Sequence, residues 1–173
     1  MESAGIHRFE TIDGVPLSVR RIEPGDKAAL SEAFGHLSEQ SVYRRFLAPL
    51  KRLTESELAY LTELDHADHE ALIALTDAGA IVGVARYVRE PGEPSRAETA
   101  VTVQDDWQGR GVGSALLHLL AGRARQQGID RFMGICLAEN REMIQLFDEL
   151  GQATKRHPAD SETIEVEVEL PAR

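Results

Sequence analysis

A glycine-rich segment, residues 108–114, has the residue types and spacing that point most directly to chemistry. Glycine occupies every second position in it, at Gly109, Gly111 and Gly113, and a helical apolar pattern follows. The first turn of a helix has backbone N–H groups without intrahelical partners, and that end of the helix dipole is positive. Glycines let this backbone approach a phosphate closely, and Arg110 adds a charged donor. The segment therefore predicts an anion site at the start of a helix.

Two other nucleotide-binding motifs do not fit this segment. A P-loop requires Gly-Lys followed by Ser or Thr, and a dinucleotide fingerprint requires G-x-G-x-x-G, whereas the spacing here is G-x-G-x-G. The alternative interpretation is that the glycines serve packing alone. Alternating glycines destabilise a helix start unless something compensates, so a bound anion is the favoured interpretation.

The same segment resembles a family motif. Its residues Gln108-Gly109-Arg110-Gly111-Val112-Gly113 match the Q/R-x-x-G-x-G/A signature of the GNAT acetyltransferases, and the match extends to Asn140 and to Leu150-Gly151. The resemblance is tight from Glu98 to Gly151 and looser from Val15 onward. It implies acetyl-CoA as co-substrate, no metal, and an α+β fold with a mixed, mostly antiparallel central sheet that splays in the middle and is flanked by helices.

The resemblance also implies cofactor contacts. The strand at 99–103 would pair its backbone with the pantetheine arm beside a splayed neighbour at 132–137, and the amides of 108–114 would surround the pyrophosphate. Asn140 would lie near the pantetheine or the acetyl group, or act as a helix N-cap, and the two roles are compatible. The implied cofactor-binding residues are Val101, Thr102, Val103, Gln108, Gly109, Arg110, Gly111, Val112, Gly113, Ser114 and Asn140.

Direct acetyl transfer needs a neutral amine, and a lysine amine with a pKa near ~10.4 is almost fully protonated at neutral pH. A carboxylate close to the thioester can take that proton, and Glu98, in the strand before the signature, is the candidate. Residue type alone favours the alternative, a solvated glutamate that balances Arg96.

A narrower resemblance favours the catalytic role. The chain is similar to the catalytic domain of bacterial Pat-type protein lysine acetyltransferases, in which a glutamate at the matching place is taken as the general base. The segments that carry this similarity are residues 41–46, 65–69, 82–87, 97–98 and 107–111.

Two positions depart from the family pattern. Many GNAT enzymes have a tyrosine seven residues after the asparagine, which protonates the leaving thiolate, but this chain has Phe147, which has no proton to donate. The thiolate then leaves unassisted, or another group protonates it. The common Leu-Gly-Phe ending is Leu150-Gly151-Gln152 here.

Other residues with chemical side chains have simpler interpretations. His66 and His69, with their neighbouring aspartates, are predicted to lie in a polar loop and not to bind a metal. Cys136 is predicted to be buried in a core strand, and Trp107 to anchor packing. The early helix with Tyr43, Arg44 and Arg45 either forms the acceptor wall, as in GNAT enzymes, or carries solvated charges.

Hydrophobic periodicity predicts the elements that must position these residues. Predicted strands are 15–22, 70–76, 80–89, 96–104, 131–137 and 163–170, and predicted helices are 24–37, 38–46, one that starts at 54, 109–128 and 140–150. Residues 1–12 are predicted to be a loose terminus and 91–94 a loop. The order describes one domain, 1–173, of layered helices and sheet.

Composition restricts the partners. The chain has 173 residues, a net charge of -10, 42% hydrophobic residues and one cysteine, Cys136. This acidity disfavours nucleic-acid binding, and nothing in the sequence predicts a signal peptide, a membrane span or a disulfide. We therefore expect a cytoplasmic protein whose partner is a protein or small-molecule amine.

The resemblance implies transfer of an acetyl group from acetyl-CoA to a protein lysine ε-amine, in a ternary complex with Glu98 as base. Acetylation of a small amine, including an antibiotic, is the alternative within enzymes. A catalytically silent acyl-CoA-binding sensor is the alternative of another class, favoured by Phe147 and opposed by Glu98.

Overall fold

A single mixed sheet organises residues 5–172, the part of the chain that the computed structural model describes. Eight strands lie side by side in the order β1-β2-β3-β4-β5-β6-β8-β7 within those residues. Only the β5–β6 pair is parallel, and every other neighbouring pair is antiparallel. The strands are β1 (His7–Glu10), β2 (Pro16–Arg21), β3 (His69–Leu75), β4 (Ile81–Glu90), β5 (Glu93–Val103), β6 (Arg131–Leu137), β7 (Thr154–Arg156) and β8 (Thr163–Glu169).

Helices cover both faces of the sheet. They are α1 (Lys27–Gly35), α2 (Glu39–Phe46), α3 (Glu55–Thr62), α4 (Val112–Gln126) and α5 (Arg141–Leu150). Buried apolar residues of α1, α2 and α3 form one core with Ala71 and Ile73 of β3, and those of α4 and α5 form a second core with β6 and β8. The predicted layered fold with a mixed, mostly antiparallel sheet is confirmed, and none of the helices between residues 5 and 172 is long and apolar enough to cross a membrane.

Side chains cap α2 and α3 at the positions that the sequence predicted. Thr54 caps α3 and forms a reciprocal capping box with Glu57, at 3.2 and 2.7 Å. Ser38 caps α2 through a hydrogen bond from the Ser41 amide. Because this cap fixes the start of α2, it also fixes the positions of Arg44 and Arg45 in the last turn of the helix.

The sheet opens between its two parallel strands. Residues 96–98 of β5 pair with residues 131–133 of β6, and no pairing between these strands continues beyond Glu98 and Met133. Instead, β6 stays paired with β8 along its whole length. The predicted splay is therefore present, but it begins after Met133 and not at Phe132.

Two local predictions were wrong. The predicted loose terminus contains β1, which pairs with β2 in antiparallel register, and Phe9 packs on the core; residues 1–4 lie outside the described residues. The strand has little apolar alternation, so its hydrogen bonds to β2 and not its sequence pattern define it. The predicted loop at 91–94 is a tighter turn, with Gly92 at φ 88° and β5 already beginning at Glu93.

Candidate active site

A cleft of about 340 Å³ begins where β6 leaves β5. Its floor is residues 99–103 of β5, one wall is the glycine-rich turn with α4, and the other includes α5 and residues of α2. Ten of the residues predicted to bind the cofactor line it: Val101, Thr102, Val103, Gln108, Gly109, Gly111, Val112, Gly113, Ser114 and Asn140. Their role in cofactor binding stays a prediction, but the fold brings them to one place.

The glycine turn leaves the start of α4 open to a ligand. Gly109 and Gly111 have φ values of 71° and 89°, a left-handed conformation that strains other residues, and Gly111 is the N-cap of α4. Among the described residues, no side chain caps this N-terminus. A Cβ on Gly113 would lie 3.3 Å from Leu146 Cδ1, so glycine also permits the close approach of α4 and α5. The result is an uncapped helix N-terminus that faces a cleft, which suits an anion.

Arg110 is the predicted contact that does not line the cleft. Its guanidinium donates to both carboxylate oxygens of Asp13, at 3.0 and 2.9 Å, and lies 4.2 Å from the ring centroid of Trp107. The Arg110 hydrogen bond, with one from Thr11, lowers the pKa of Asp13 to about 2. The Ile12 amide donates to the Arg110 carbonyl at 3.0 Å. Because Asp13 holds the side chain, Arg110 fastens the β1–β2 turn to the glycine turn and leaves only its backbone near the cleft.

Three polar side chains fix the walls of the cleft. Gln108 donates to the Val103 carbonyl at 3.0 Å and to Ser41 Oγ of α2 at 3.3 Å, which ties the glycine turn to two neighbouring elements. Ser114 Oγ donates to Glu149 Oε2 at 2.6 Å. Glu149 of α5 was missed from sequence because only the packing of α4 against α5 brings its carboxylate beside the glycine turn.

Asn140 serves as the N-cap of α5 and also lines the cleft. Its Oδ1 accepts from the Met143 amide at 3.2 Å, and the residue is buried. The two predicted roles are geometrically compatible.

Phe147 is fully buried in the core and packs directly against β6. A Cβ added to Gly134 of β6 would lie only 2.8 Å from Cζ of its ring. Cys136 is buried, as predicted, and burial raises the pKa of its thiol.

Glu98 lies on β5 just at the end of its pairing with β6, and it is exposed. Its carboxylate makes no side-chain hydrogen bond or ion pair within residues 5–172. The alternative partner, Arg96, is paired with Glu90, Glu165 and Glu167 instead, each at 2.9 Å. Glu98 therefore does not pair with Arg96, and its exposure is compatible both with a solvated glutamate and with a base that meets a substrate.

Glu98 belongs to the helix α1–α3 face of the sheet. In the register of β4 and β5, Glu98 is opposite Val88 and Ala100 is opposite Arg86, and opposed residues of an antiparallel pair share a face. Ala100, Thr102 and Arg45 line the cleft from this side. The cleft is thus bounded by a backbone-rich side next to α4 and a charged side next to α2.

The histidines are held by polar contacts at the start of β3. His66 Nδ1 lies 2.7 Å from Glu70 Oε1, and His69 Nε2 accepts from Arg86 at 3.0 Å. Burial, with the charge of Arg86, lowers the pKa of His69 to about 4, so its ring is a neutral acceptor at neutral pH. Within residues 5–172 no group of three or more His, Cys, Asp and Glu side chains is arranged to hold a metal ion.

The fold and cleft are those of an acyl-group transferase, and the sequence pattern agrees. The chain belongs to the acetyltransferase (GNAT) family, which matches residues 37–152. It is 36% identical over 154 residues to acetyltransferase Pat of Mycolicibacterium smegmatis, covering 88% of this chain and 45% of that protein. The chain therefore spans less than half the length of this relative.

Solved structures agree with this assignment. The GNAT domain of S. lividans PAT superimposes with a TM-score of 0.87 at 33% identity, covering 95% of this chain and 97% of that one. The structure of yncA from Salmonella typhimurium with its cofactor acetyl-CoA superimposes with a TM-score of 0.72 at 20% identity, covering 91% and 95% of the two chains. The second likeness concerns the fold alone.

Proposed function

We propose that this chain transfers an acetyl group from acetyl-CoA to the ε-amine of a protein lysine, by direct attack in a ternary complex. The observation that carries the proposal is the position of Glu98, whose carboxylate is unpaired within residues 5–172. Glu98 is the last residue of β5 that pairs with β6, and the residues that line the cleft begin at the next position, Thr99. One substrate can then occupy the α4 side of β5 while another approaches from the α1–α3 side.

The residues that line the cleft suit an acyl-CoA. Gly109, Gly111 and Gly113 leave the N-terminus of α4 uncapped and accessible for a pyrophosphate. The edge of β5 at 99–103 has lost its β6 partner, so its backbone groups are available to an extended amide-containing arm. Acetyl-CoA, when bound, supplies an activated thioester whose carbonyl carbon an amine can attack.

Glu98 is proposed to remove the proton from the acceptor amine. Its carboxylate has no competing partner within residues 5–172, so its oxygens can accept a proton directly or through a water. A lysine with a pKa near ~10.4 needs such an acceptor before attack. Phe147 lies in the core and donates no proton, so the thiolate leaves without a phenol donor from this position.

The test is to incubate the purified chain with acetyl-CoA and a cell lysate and to map new acetyl-lysines by mass spectrometry. The wild type should mark a limited set of lysines. Glu98→Gln, which keeps the shape of the side chain but not its basicity, should lose these marks while acetyl-CoA binding persists. Glu93→Gln, the same change at the exposed start of β5, is the matched control and should retain them.

Other outcomes separate the alternatives. Acetylation of free amines without any protein marks would replace the protein-lysine acceptor with a small molecule. Binding of acetyl-CoA without thiol release in the presence of any amine would replace catalysis with a sensor function. Marks that persist in Glu98→Gln at the wild-type rate would remove Glu98 as the base.

A further inference from the structure

A second, smaller cavity adjoins the cleft on the opposite side of β5. It has a volume of about 60 Å³ and lies between the α1–α3 layer and strands β4 and β5. Most of its lining is apolar, and its two charged residues are Arg45 of α2 and Arg86 of β4. Arg45, Ala100 and Thr102 line both this cavity and the cleft, so the two spaces meet at Arg45.

Arg86 is buried, and no carboxylate within residues 5–172 pairs with it. Its NH1 donates to the Leu61 carbonyl at 3.2 Å and to His69 Nε2 at 3.0 Å, and both acceptors are neutral. Burial, reinforced by the charge of Arg45, lowers the pKa of Arg86 to about 9. The fold therefore holds this guanidinium in place without neutralising it.

Arg45 has still fewer partners. It is half-buried, and its guanidinium makes no hydrogen bond and no ion pair with any side chain or carbonyl within residues 5–172; its contact is the ring of Phe46, whose centroid lies 4.7 Å from Cζ. Burial lowers the pKa of Arg45, and the charge of Glu98 acts in the opposite sense. The carboxylate that influences Arg45 is thus the proposed catalytic base, which does not pair with it.

Several other arginines of this acidic chain have carboxylate partners. Arg20 binds Asp26 through two nitrogens, Arg123 binds Glu70 at 2.9 Å, and Arg96 contacts three glutamates. Arg45 and Arg86 differ from these, because the charge of Arg45 lowers the pKa of Arg86 and neither has a carboxylate partner within residues 5–172. Two such guanidinium groups repel each other and are costly to desolvate. A ligand carboxylate would offset that cost, because it matches the planar donor fork of arginine.

We propose that Arg45, with Arg86 beside it, binds a carboxylate of the acceptor, so that the lysine presented to Glu98 has an acidic neighbour. This inference rests on the proposed function for the identity of the acceptor. The net charge of -10 repels acidic ligands at long range, so an acidic acceptor requires a local pair of cations of this kind. A lysine flanked by Asp or Glu also presents its own cation to Glu98 while its carboxylate meets Arg45.

The experiment measures binding and does not depend on turnover. A set of short lysine peptides, each with one aspartate at a position from −3 to +3, is titrated calorimetrically into the chain with CoA present, beside peptides with asparagine at the same position. At least one aspartate peptide should bind about tenfold more tightly than its asparagine counterpart, since a charge-assisted, partly buried contact is worth about 1.4 kcal/mol or more. Free lysine and lysinamide are titrated in the same way.

Variants assign the preference to its residue. Arg45→Gln should bring the aspartate and asparagine peptides to equal affinity, and Arg45→Lys should keep part of the difference because it retains charge but not the fork. Arg52→Gln, the same change at an exposed position nearby, should keep the full difference. Circular dichroism confirms that each variant is folded.

The outcomes are distinct from those of the proposed function. The inference is overturned, even if acetyl transfer occurs, when two results are found together. The wild type binds both peptide types equally or not detectably, and it binds lysine and lysinamide equally. A preference that survives Arg45→Gln also overturns the inference. A preference for lysine over lysinamide alone supports the carboxylate site and makes a free amino acid its source. An Arg45-dependent preference without acetyl transfer upholds the site and removes only the proposed catalysis.

Discussion

The two sides of β5 differ in the groups that line them: backbone groups on the α4 side and charged side chains on the α1–α3 side. On the α4 side, the cleft is lined by glycines and by the free edge of a strand, and its likeness to an anion site comes from backbone groups. On the α1–α3 side, the charged groups include Arg45 of α2, Arg86 of β4 and Glu98 of β5, which come from distant parts of the sequence. A backbone site can serve any acyl-CoA, whereas side chains can vary with the acceptor.

This difference predicts that the two sides can be damaged separately. Changes on the α4 side should weaken acyl-CoA binding, and changes on the α1–α3 side should affect turnover or acceptor choice while acyl-CoA still binds. A variant that changed both acyl-CoA binding and acceptor choice would show that the two sides are one cooperative unit.

The largest expected effect is that of Glu98→Gln. Loss of a positioned general base typically costs about 10²–10⁴-fold in rate. We expect a fall of that order in kcat/KM for the best amine acceptor at saturating acetyl-CoA, with the Kd for acetyl-CoA within about twofold of wild type. Rate assays at raised pH should recover part of the loss, because more of the amine is then already neutral. A variant whose rate and pH profile match the wild type would remove Glu98 from the mechanism.

The reciprocal effect is expected from Gly113→Val. The added Cβ would lie 3.3 Å from Leu146 Cδ1 and its methyl groups would crowd the start of α4, where the pyrophosphate is proposed to bind. We expect the Kd for acetyl-CoA to rise about tenfold or more, which corresponds to about 1.4 kcal/mol, the worth of one good charge-assisted hydrogen bond.

A matched control lies on the same helix. A Cβ added to Gly122 of α4 would point into open space, so Gly122→Ala should leave the Kd unchanged and stabilise the helix slightly. If Gly113→Val bound acetyl-CoA as tightly as Gly122→Ala in equilibrium titrations, the pyrophosphate would not lie against this turn.

The same contrast explains what could be predicted from sequence. The fold class, the capping box at Thr54 and the half-buried alternation of β8 depend on patterns between neighbours in sequence, so they were predictable. The glycine turn is local too, and its three glycines line the cleft at the start of α4, while their contact with a cofactor stays a prediction. Strand β1 was missed because its hydrogen bonds to β2, rather than any apolar alternation, define it.

The remaining features depend on contacts between distant residues. Arg110 was predicted to face a phosphate, but the turn after β1 brings Asp13 to it across 97 positions of the sequence. Glu149 reaches Ser114 only because α5 packs on α4. A residue type alone does not reveal such partners, so charged side chains were the least predictable part of the site.

A smaller effect is expected from Glu149→Gln. Glu149 places a carboxylate on Ser114, beside the turn where an anionic pyrophosphate is proposed to bind. Removing that charge should tighten acetyl-CoA binding by about two- to fivefold, since a charge pair near a protein surface is worth on the order of 1 kcal/mol and salt screens it. The gain should shrink as ionic strength rises from about 0.05 to about 0.5 M. Glu162→Gln, at an exposed position, is the control, and equal Kd values for both variants would place the cofactor's phosphates elsewhere.

The smallest expected effect concerns pH and the α1–α3 side. Burial lowers the pKa of His69 to about 4 from its ordinary 6.5, so between these values the unfolded chain binds more protons than the folded one. The neutral ring that accepts from Arg86 therefore stabilises the fold fully above about pH 6.5 and loses that contribution as the pH falls toward 4. Wild type should show a lower Tm at pH 5 than at pH 7.5, and His69→Gln, whose amide oxygen can accept from Arg86 without titrating, should show a smaller difference between the two. If the Tm of both proteins fell by the same number of degrees in calorimetry, His69 would not be the group that couples the packing of Arg86 to pH. Arg86 would then be held by the Leu61 carbonyl and the surrounding apolar side chains alone.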